Sequence, residues 1–302
     1  MSSTGDKRRP SWLKVRLPGA GHYRQVKSSL RRLGVATVCE EARCPNAGEC
    51  WGCGTATFMI LGEVCTRDCA FCAVTTRRRP AAPEPDEPAR VAEAAAELAL
   101  RYVVLTSVDR DDLPDGGAAC FARTVEAVQA RCPGAVVEVL TPDFGGDDEA
   151  LAVICASGAQ VLAHNLETTR AVTPAVRDRR CDYDRSLSIL RAYRRLAPRR
   201  VVKSSLLLGL GETDDQVRAS LADLRDAGVD WVTMGQYLRP TRSHAPVDRY
   251  VPPEAFDDLA DHARTLGFSL VTAGPLVRSS YKAGEEDVME LLKERQETAA
   301  PL

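Results

Sequence analysis

The sequence predicts an α/β chain built as a partial (β/α)6 barrel of the TIM type, with N-terminal and C-terminal extensions closing its mouth. Three observations predict it. Short β-branched runs alternate with single helical segments over most of the chain, the pattern of a parallel sheet with right-handed crossovers. Polar residues gather just past the ends of the strands, where parallel α/β architectures build their sites. No G-x-G-x-x-G follows any strand, which disfavours the open dinucleotide-binding sheet. About six βα units close only part of a barrel whose full form has eight.

The elements follow in order. "TATFMI" (55–60) is the first strand. "RRRPAAPEPDEPAR" (77–90) is rich in proline and charge and reads as a loop. "VAEAAAELAL" (91–100) is a strong helix former, and "YVVLTS" (102–107) is a β-branched strand. Helices are expected over 117–131, 148–157, 183–196, 214–228 and 253–267, the fourth closed by Gly228. Between them lie the strands "AVVEVL" (135–140), "QVLAHNLE" (160–167), "VVKSSLLLGL" (201–210), "WVTMGQY" (231–237) and "SLVTAG" (269–274). Past the strand ends stand Thr106, Ser107 and Asp109, Thr141 and Asp143, Asn165 and Glu167, Glu212, and Gln236 and Arg239. Asp143, Asp147 and Asp214 fit helix caps and turns better than a site. Asn165 and Glu167 fit that less well, because "HNLETT" continues directly from a strand.

Composition excludes several classes of function. A net charge of -2 over 302 residues gives no whole-molecule attraction to nucleic acid. No apolar run approaches the length of a membrane span. The basic N-terminus has no apolar core, so it is not a secretory signal, and it is too mixed for a strong transit peptide. A reducing cytoplasm is the expected compartment. The 11 cysteines are lopsided, with seven between Cys39 and Cys72. In a reducing compartment such a cluster reads as metal binding or catalysis. Cys120, Cys132, Cys155 and Cys181 are scattered and read as small buried hydrophobes.

Two readings of the cluster compete. Cys50 and Cys53 with Cys69 and Cys72 match a zinc-ribbon spacing. That reading leaves Cys39, Cys44 and Cys65 without a role, and it needs a hairpin where "TATFMILG" reads as a core strand. The iron–sulfur reading uses six thiols as two triads: Cys39, Cys44 and Cys50 (C-x4-C-x5-C), and Cys65, Cys69 and Cys72 (C-x3-C-x2-C). Each triad can hold three irons of a four-iron cluster and leave the fourth open to a substrate or cofactor. The missing fourth cysteine is the informative feature.

C-x3-C-x2-C after the first strand of a partial βα barrel resembles the radical S-adenosylmethionine enzymes. The preceding "CEEARCPNAGECW" resembles one branch of them, the lipoyl synthases. The similarity continues through "GTATFMILGEVCTRDCAFCAV", "TSVDRDDLPDGG", "HNLET", "GLGET", "GQYLRP" and "GPLVRSSY", from Cys39 to Tyr281. Cys53 is an extra thiol against the family pattern and is expected to be a bystander. Glu63 stands where Asp is commoner, and Ser205 where Gly is commoner.

The resemblance implies the radical S-adenosylmethionine fold, two 4Fe-4S clusters and S-adenosylmethionine. The Cys65/Cys69/Cys72 cluster would reduce S-adenosylmethionine to a 5′-deoxyadenosyl radical. That radical would remove a hydrogen from C6 of an octanoyl chain amide-linked to a carrier lysine, and a second radical, formed later, would remove one from C8. The Cys39/Cys44/Cys50 cluster would donate the sulfur, its fourth iron held by a serine of "RSSY": Ser280, with Ser279 as second choice. Phe71, Thr106, Ser107, Asp109, Asn165, Glu167, Lys203 and Arg239 would bind the cofactor. The implied partners are octanoylated lipoyl carrier domains (E2 subunits of dehydrogenase complexes or the glycine cleavage H protein), a ferredoxin- or flavodoxin-type electron donor, and a cluster-repair scaffold protein. Neither nucleic acid nor a membrane is expected as a partner. The matching organisation is an N-terminal extension with the auxiliary cysteines (1–54), the barrel (55–274), and a C-terminal segment with the RSSY motif and a charged tail (275–302). Another auxiliary-cluster radical enzyme and a zinc-ribbon or cluster-carrier protein remain the alternatives.

Overall fold

The computed structural model describes residues 9–14, 20–41, 44, 46–52, 55–281 and 286–297. Cys53 lies outside them, as does most of the basic N-terminus.

The N-terminal part supplies helix α1 (Ala20–Leu33), strand β1 (Ala36–Thr37) and the short helices α2 (Val38–Glu41) and α3 (Ala47–Gly52). Strand β2 (Thr55–Ile60) follows, then two short pieces, β3 (Val64–Cys65) and β4 (Thr75–Thr76). Helices and strands then alternate: α4 (Glu87–Glu97), β5 (Tyr102–Ser107), α5 (Ala118–Arg131), β6 (Val136–Leu140), α6 (Asp148–Ala156) and β7 (Val161–Ala163). After the short α7 (Thr173–Val176) come α8 (Tyr183–Leu196), β8 (Val201–Leu208), α9 (Asp214–Asp226), β9 (Trp231–Gln236), α10 (Pro253–Thr265), β10 (Leu270–Gly274) and α11 (Glu286–Glu297).

Among the described residues one sheet has the order β1-β2-β5-β6-β7-β8-β9-β10. All its pairs are parallel except β1 with β2. β10 and β1 are its two edges, so the barrel is open on one side, as the count of βα units predicts. The strands are buried on both faces: all six residues of β2 and all six of β9 are buried. That is why they read as continuous apolar runs rather than alternating ones.

Several boundaries differ from expectation for local reasons. Helix α4 starts at Glu87 with Pro88 in its first turn, so residues 87–90 belong to the helix and not to the loop. Its end is set by Ala99 at φ 48. Asp147 and Asp143 do act as caps, accepting hydrogen bonds from Glu149 N and Gly145 N. For α9 the cap is Thr213, in a capping box with Gln216. Asp214 instead pairs with Arg249.

The far end of the barrel from the strands' C-termini is a closed floor. Tyr102, Val136, Val161, Val201 and Trp231, each the first residue of its strand, pack with Val288, Leu291 and Leu292 of α11. Lys203 belongs to this floor, which corrects its expected place at the cofactor. Its Nζ lies 2.8 Å from Glu138 Oε2 and 3.5 Å from the Trp231 ring centroid, and it does not line the cavity above. Strand geometry is the reason: Lys203 shares the inner face with Ser205 but sits two residues, about 7 Å, deeper.

Replacing Lys203 with Met should therefore destabilise the fold by about 3–5 kcal/mol, because Glu138 would be left buried without its cation. Urea unfolding checks this. The double change Lys203→Met with Glu138→Leu should recover most of the loss, and an unchanged midpoint in the single variant would contradict the account.

Candidate active site

The loop after β2 carries Cys65, Cys69 and Cys72. A two-step parallel ladder, Val64 with Thr75 and Cys65 with Thr76, closes it at its base. Backbone bonds tie it to the segment after β5 and to the end of α7: Thr66 N donates to Asp109 O at 2.9 Å, and Ala70 N to Val176 O at 2.8 Å. The main pin is Arg67, almost fully buried. It reaches Asp111 at 2.7 Å, Asp143 at 2.6 Å and Asp109 at 3.4 Å, and so joins the loop to the ends of β5 and β6. Despite its burial, Asp143 is held down at about 2 by Arg67. Three carboxylates around one guanidinium fix the loop because any of them left alone in that setting would be costly.

Each thiol of this triad accepts a backbone N–H. Cys65 Sγ takes Arg67 N at 3.4 Å and Asp109 N at 3.3 Å. Cys69 Sγ takes Asp178 N at 3.3 Å, and Cys72 takes the N–H of Val74. Such donors favour thiolate. Burial works against them and pushes Cys65 up to about 12, with the Asp109 carboxylate adding to it. A bare thiolate is disfavoured here, and a cation bound to the sulfurs offsets that cost. Cys181 is not simply filler, as its isolation in the sequence suggests. Its Sγ accepts from Arg67 Nη1 at 3.5 Å, and it lies beside Cys69, whose proximity lowers Cys181 and raises Cys69. Cys120 is buried as expected, whereas Cys132 and Cys155 are only half-buried.

The three thiols open into a cavity of about 1020 Å³ at the C-terminal ends of the strands. Phe71, Thr106, Ser107, Asp109, Asn165, Glu167 and Arg239 all line it. Ser107 Oγ is buried in the wall without a hydrogen-bond partner. β7 stops at Ala163, so "HNLET" leaves the strand earlier than predicted and turns. Glu167 takes φ 70, a left-handed conformation that a non-glycine residue holds only when its surroundings impose it. Here Glu167 N donates to Ser205 O at 3.0 Å, and Leu207 N donates to Glu167 O at 2.7 Å. Asn165 Nδ2 donates to the Glu167 carboxylate at 3.1 Å. Burial raises Glu167, opposed by Arg177. Burial also raises Asp109, opposed by Arg67. Arg239 donates to His244 O at 2.9 Å.

Sequence reasoning missed Arg177 as a site residue. Arg177 lines the cavity and faces Glu167 and the cysteines electrostatically. Arg180 pairs with Asp178 at 2.9 Å and Asp111 at 3.0 Å. The available signal was weak: a basic residue following a four-residue helix. His164, missed as well, lines the cavity as a neutral imidazole. Burial lowers it to about 4, and its Nδ1 lies 2.9 Å from Thr141 O.

The second triad, Cys39, Cys44 and Cys50, gathers beside this cavity rather than in its lining. Cys39, at the start of α2, is pushed up to about 12 by burial and by the nearby Cys44 and Cys50. It accepts the N–H of Thr57, and Cys44 accepts that of Asn46. The C-terminal segment returns here. Asn46 Nδ2 donates to Leu276 O at 2.6 Å, and Tyr281 Oη lies 3.3 Å from Glu49. Gly235 makes the return passable, since a Cβ there would lie 2.0 Å from Val277 O. Thr57 Oγ1 donates to Ser280 Oγ at 2.8 Å, while Arg278 lies beside Cys44. Ser279 lines the same cavity. Ser205 also lines it, and Glu63 is exposed outside it.

Cys50 thus neighbours Cys39, whereas Cys72 neighbours Cys65. A zinc ribbon would instead pair Cys50 with Cys69 and Cys72; its other ligand, Cys53, lies outside the described residues. Among the described residues no three His, Cys, Asp or Glu side chains converge on one metal ion. Thiols that each take a different iron of a cluster need no such convergence.

Comparison with known proteins decides the family. The profile of the Radical SAM superfamily matches residues 59–224, and that of the N-terminal domain of lipoyl synthase matches residues 1–44. Lipoyl synthase of Pyrobaculum calidifontis is 56% identical over 287 residues, covering 94% of this chain and 97% of that one. Lipoyl synthase of Thermus thermophilus is 54% identical over 278 residues, covering 92% and 86%. The chain belongs to the lipoyl synthase family. The mitochondrial lipoyl synthase of Candida albicans is 52% identical over 290 residues, covering 95% of this chain and 75% of that one.

Solved structures share the fold of this lipoyl synthase family member at low identity. SuiB of Streptococcus suis bound to S-adenosylmethionine has a TM-score of 0.57 at 10% identity, over 83% of this chain and 53% of that one. Methylornithine synthase PylB has a TM-score of 0.51 at 15% identity, over 93% and 89%. The radical SAM class carries a 4Fe-4S cluster and S-adenosylmethionine. Three N–H-bonded thiols, a polar cavity and the unpartnered Ser107 hydroxyl fit both groups. No helix among the described residues is long and apolar enough to cross a membrane.

Proposed function

We propose that the chain inserts two sulfur atoms, at C6 and C8, into an octanoyl group amide-linked to a lysine of a lipoyl carrier domain, with sulfur drawn from a second 4Fe-4S cluster. Cys65, Cys69 and Cys72 hold the first cluster. Cys39, Cys44, Cys50 and Ser280 hold the second. The observation that carries this reading is a single cavity whose walls include Cys65, Cys69 and Cys72 on one side and Ser280, bonded to Thr57 beside Cys39, on the other. A chain threaded between them meets both.

The first cluster with S-adenosylmethionine supplies the radical chemistry that unactivated C–H bonds demand, which side-chain acids and bases cannot. The protein's own residues bind and orient. Phe71 offers an apolar face for the adenine. Thr106, Ser107 and Asp109 offer polar atoms at the end of β5. Glu167 and Asn165, with Arg177, present opposite charges suited to the amino and carboxylate groups of a methionyl moiety. The Thr57 contact favours Ser280 over Ser279 as the oxygen ligand. An alkoxide is a hard ligand among thiolates, and it suits a cluster that must open.

The partners of this reading are octanoylated E2 or H-protein carriers, a ferredoxin- or flavodoxin-type donor and a scaffold that rebuilds the second cluster. Its compartment is the cytoplasm, where thiols stay reduced for iron. Arg77, Arg78 and Arg79 are exposed just beyond β4 and form the docking face for an acidic carrier. Arg177 lines the cavity and Arg180 is paired with Asp178 and Asp111, so neither is assigned to that face. Replacing the three arginines with Glu should weaken carrier binding about tenfold or more at low salt, and raising the salt should weaken wild-type binding in the same direction. Salt-independent binding in a titration would sink the docking face.

The function itself is tested by anaerobic incubation with reductant, S-adenosylmethionine and an octanoyl-lysyl peptide, read by mass spectrometry. A gain of two sulfur atoms is expected, with two hydrogens fewer once the dithiol is oxidised to the cyclic disulfide. Cleavage of S-adenosylmethionine without any sulfur-containing peptide favours a different auxiliary-cluster radical enzyme.

A further inference from the structure

We infer that Thr57 is a positioning residue for the second cluster: its hydroxyl sets the place of the Ser280 oxygen beside Cys39. The inference rests on the reading that Cys39, Cys44, Cys50 and Ser280 hold that cluster.

Thr57 sits in the middle of β2, a strand buried along its whole length. Its backbone is fixed in the sheet in register with Val104. From this fixed point two groups reach the auxiliary wall. The backbone N–H faces the Cys39 thiol. The side-chain Oγ1 donates to Ser280 Oγ at 2.8 Å, across 223 residues of sequence. Thr57 itself is 4% exposed and lines the cavity.

Ser280 needs such a partner. It lies in a returning segment of turns past Gly274, outside any helix or strand. A serine hydroxyl has three rotamers. A hydrogen bond from a rigid strand selects one of them. The same bond would act on a serine alkoxide, which accepts but cannot donate. Threonine is suited to this because its β-branched side chain is stiff in a strand. Its methyl group packs while its hydroxyl points.

The separation of side chain from backbone makes the idea testable. Replacing Thr57 with Val keeps the shape and the N–H to Cys39 and removes only the donor to Ser280. Replacing it with Ser keeps the donor.

The experiment uses the full chain with Cys65, Cys69 and Cys72 replaced by Ala, so that only the second cluster contributes. The chain is loaded anaerobically with iron-57 and read by Mössbauer spectroscopy and iron content. In this background the Ser280→Ala spectrum should differ from the parent at one iron of four. Thr57→Val should move the spectrum toward that of Ser280→Ala, since loss of a bond to a charged oxygen cuts the ligated fraction about tenfold or more relative to the unligated one. Thr57→Ser should restore the parent spectrum. Thermal unfolding by circular dichroism shows whether each variant is folded, and a Thr57→Val chain that unfolds is replaced by Thr57→Ala in the same test.

A parent-like spectrum in folded Thr57→Val or Thr57→Ala, beside an altered Ser280→Ala, overturns the role of Thr57 and leaves the second cluster standing. A parent-like spectrum in Ser280→Ala overturns serine ligation itself.

Discussion

Replacing Cys65, Cys69 and Cys72 together with Ala is expected to reduce cleavage of S-adenosylmethionine to background while iron falls from about eight to about four per chain. The loop should remain in place without its thiols, because Arg67 and its three carboxylates hold it from within the protein rather than through the metal. Near-native unfolding behaviour is therefore part of the expected result. The remaining iron should belong to the triad of Cys39, Cys44 and Cys50. Cleavage by the triple variant would show that the reducing cluster lies elsewhere. Complete loss of iron would show that the two triads do not load independently.

The complementary change has the opposite signature. With Cys39, Cys44 and Cys50 replaced by Ala, iron should again fall to about four per chain. S-adenosylmethionine should still be cleaved, but no lipoyl product should form. Cys39 feels Cys44 and Cys50 electrostatically, and Cys65 feels Cys72, which is the physical ground for separable loading. The deciding measurement is the ratio of cleaved S-adenosylmethionine to sulfur-containing peptide. Any lipoyl product from this variant in the absence of added sulfide would remove the sulfur-donor assignment. A zinc ribbon makes a different forecast for both variants: each removes ligands from one shared ion, so a single metal should be lost in either.

Some positions show how far sequence reasoning reached. Helix α8 begins and ends at the predicted residues, since Asp182 caps its start and accepts from Arg185 N. β2 likewise has its predicted bounds. "HNLET" misled because its strand ends at Ala163 and Glu167 returns to β8 through an isolated bridge with Leu206. The alternation of the sequence does not announce such a turn. Lys203 misled for a geometric reason. Period-two patterning assigns a residue to the inner face of a strand but not to a depth within the barrel. Depth depends on where α11 closes the floor, and α11 itself was read only as part of a charged tail. Arg177 was hidden because exposure, not residue type, separates a docking arginine from one turned into a cavity.

The sequence by itself determined the order of βα units, the open barrel and the division of six cysteines into two triads with their family likeness. Those are properties of local spacing and of periodicity, which the chain carries in its own order. Only the tertiary structure decided which groups face one another: Arg67 amid Asp109, Asp111 and Asp143, Lys203 on Glu138 beneath the cavity, and Ser280 against Thr57. Thr57 and Ser280 are separated by 223 positions, and nothing in the neighbourhood of either residue encodes the other. Their meeting follows from the sheet holding β2 beside the mouth and from the room that Gly235 leaves for the returning backbone. A contact of that kind is a consequence of packing the whole chain, and packing is where the physical information about it resides.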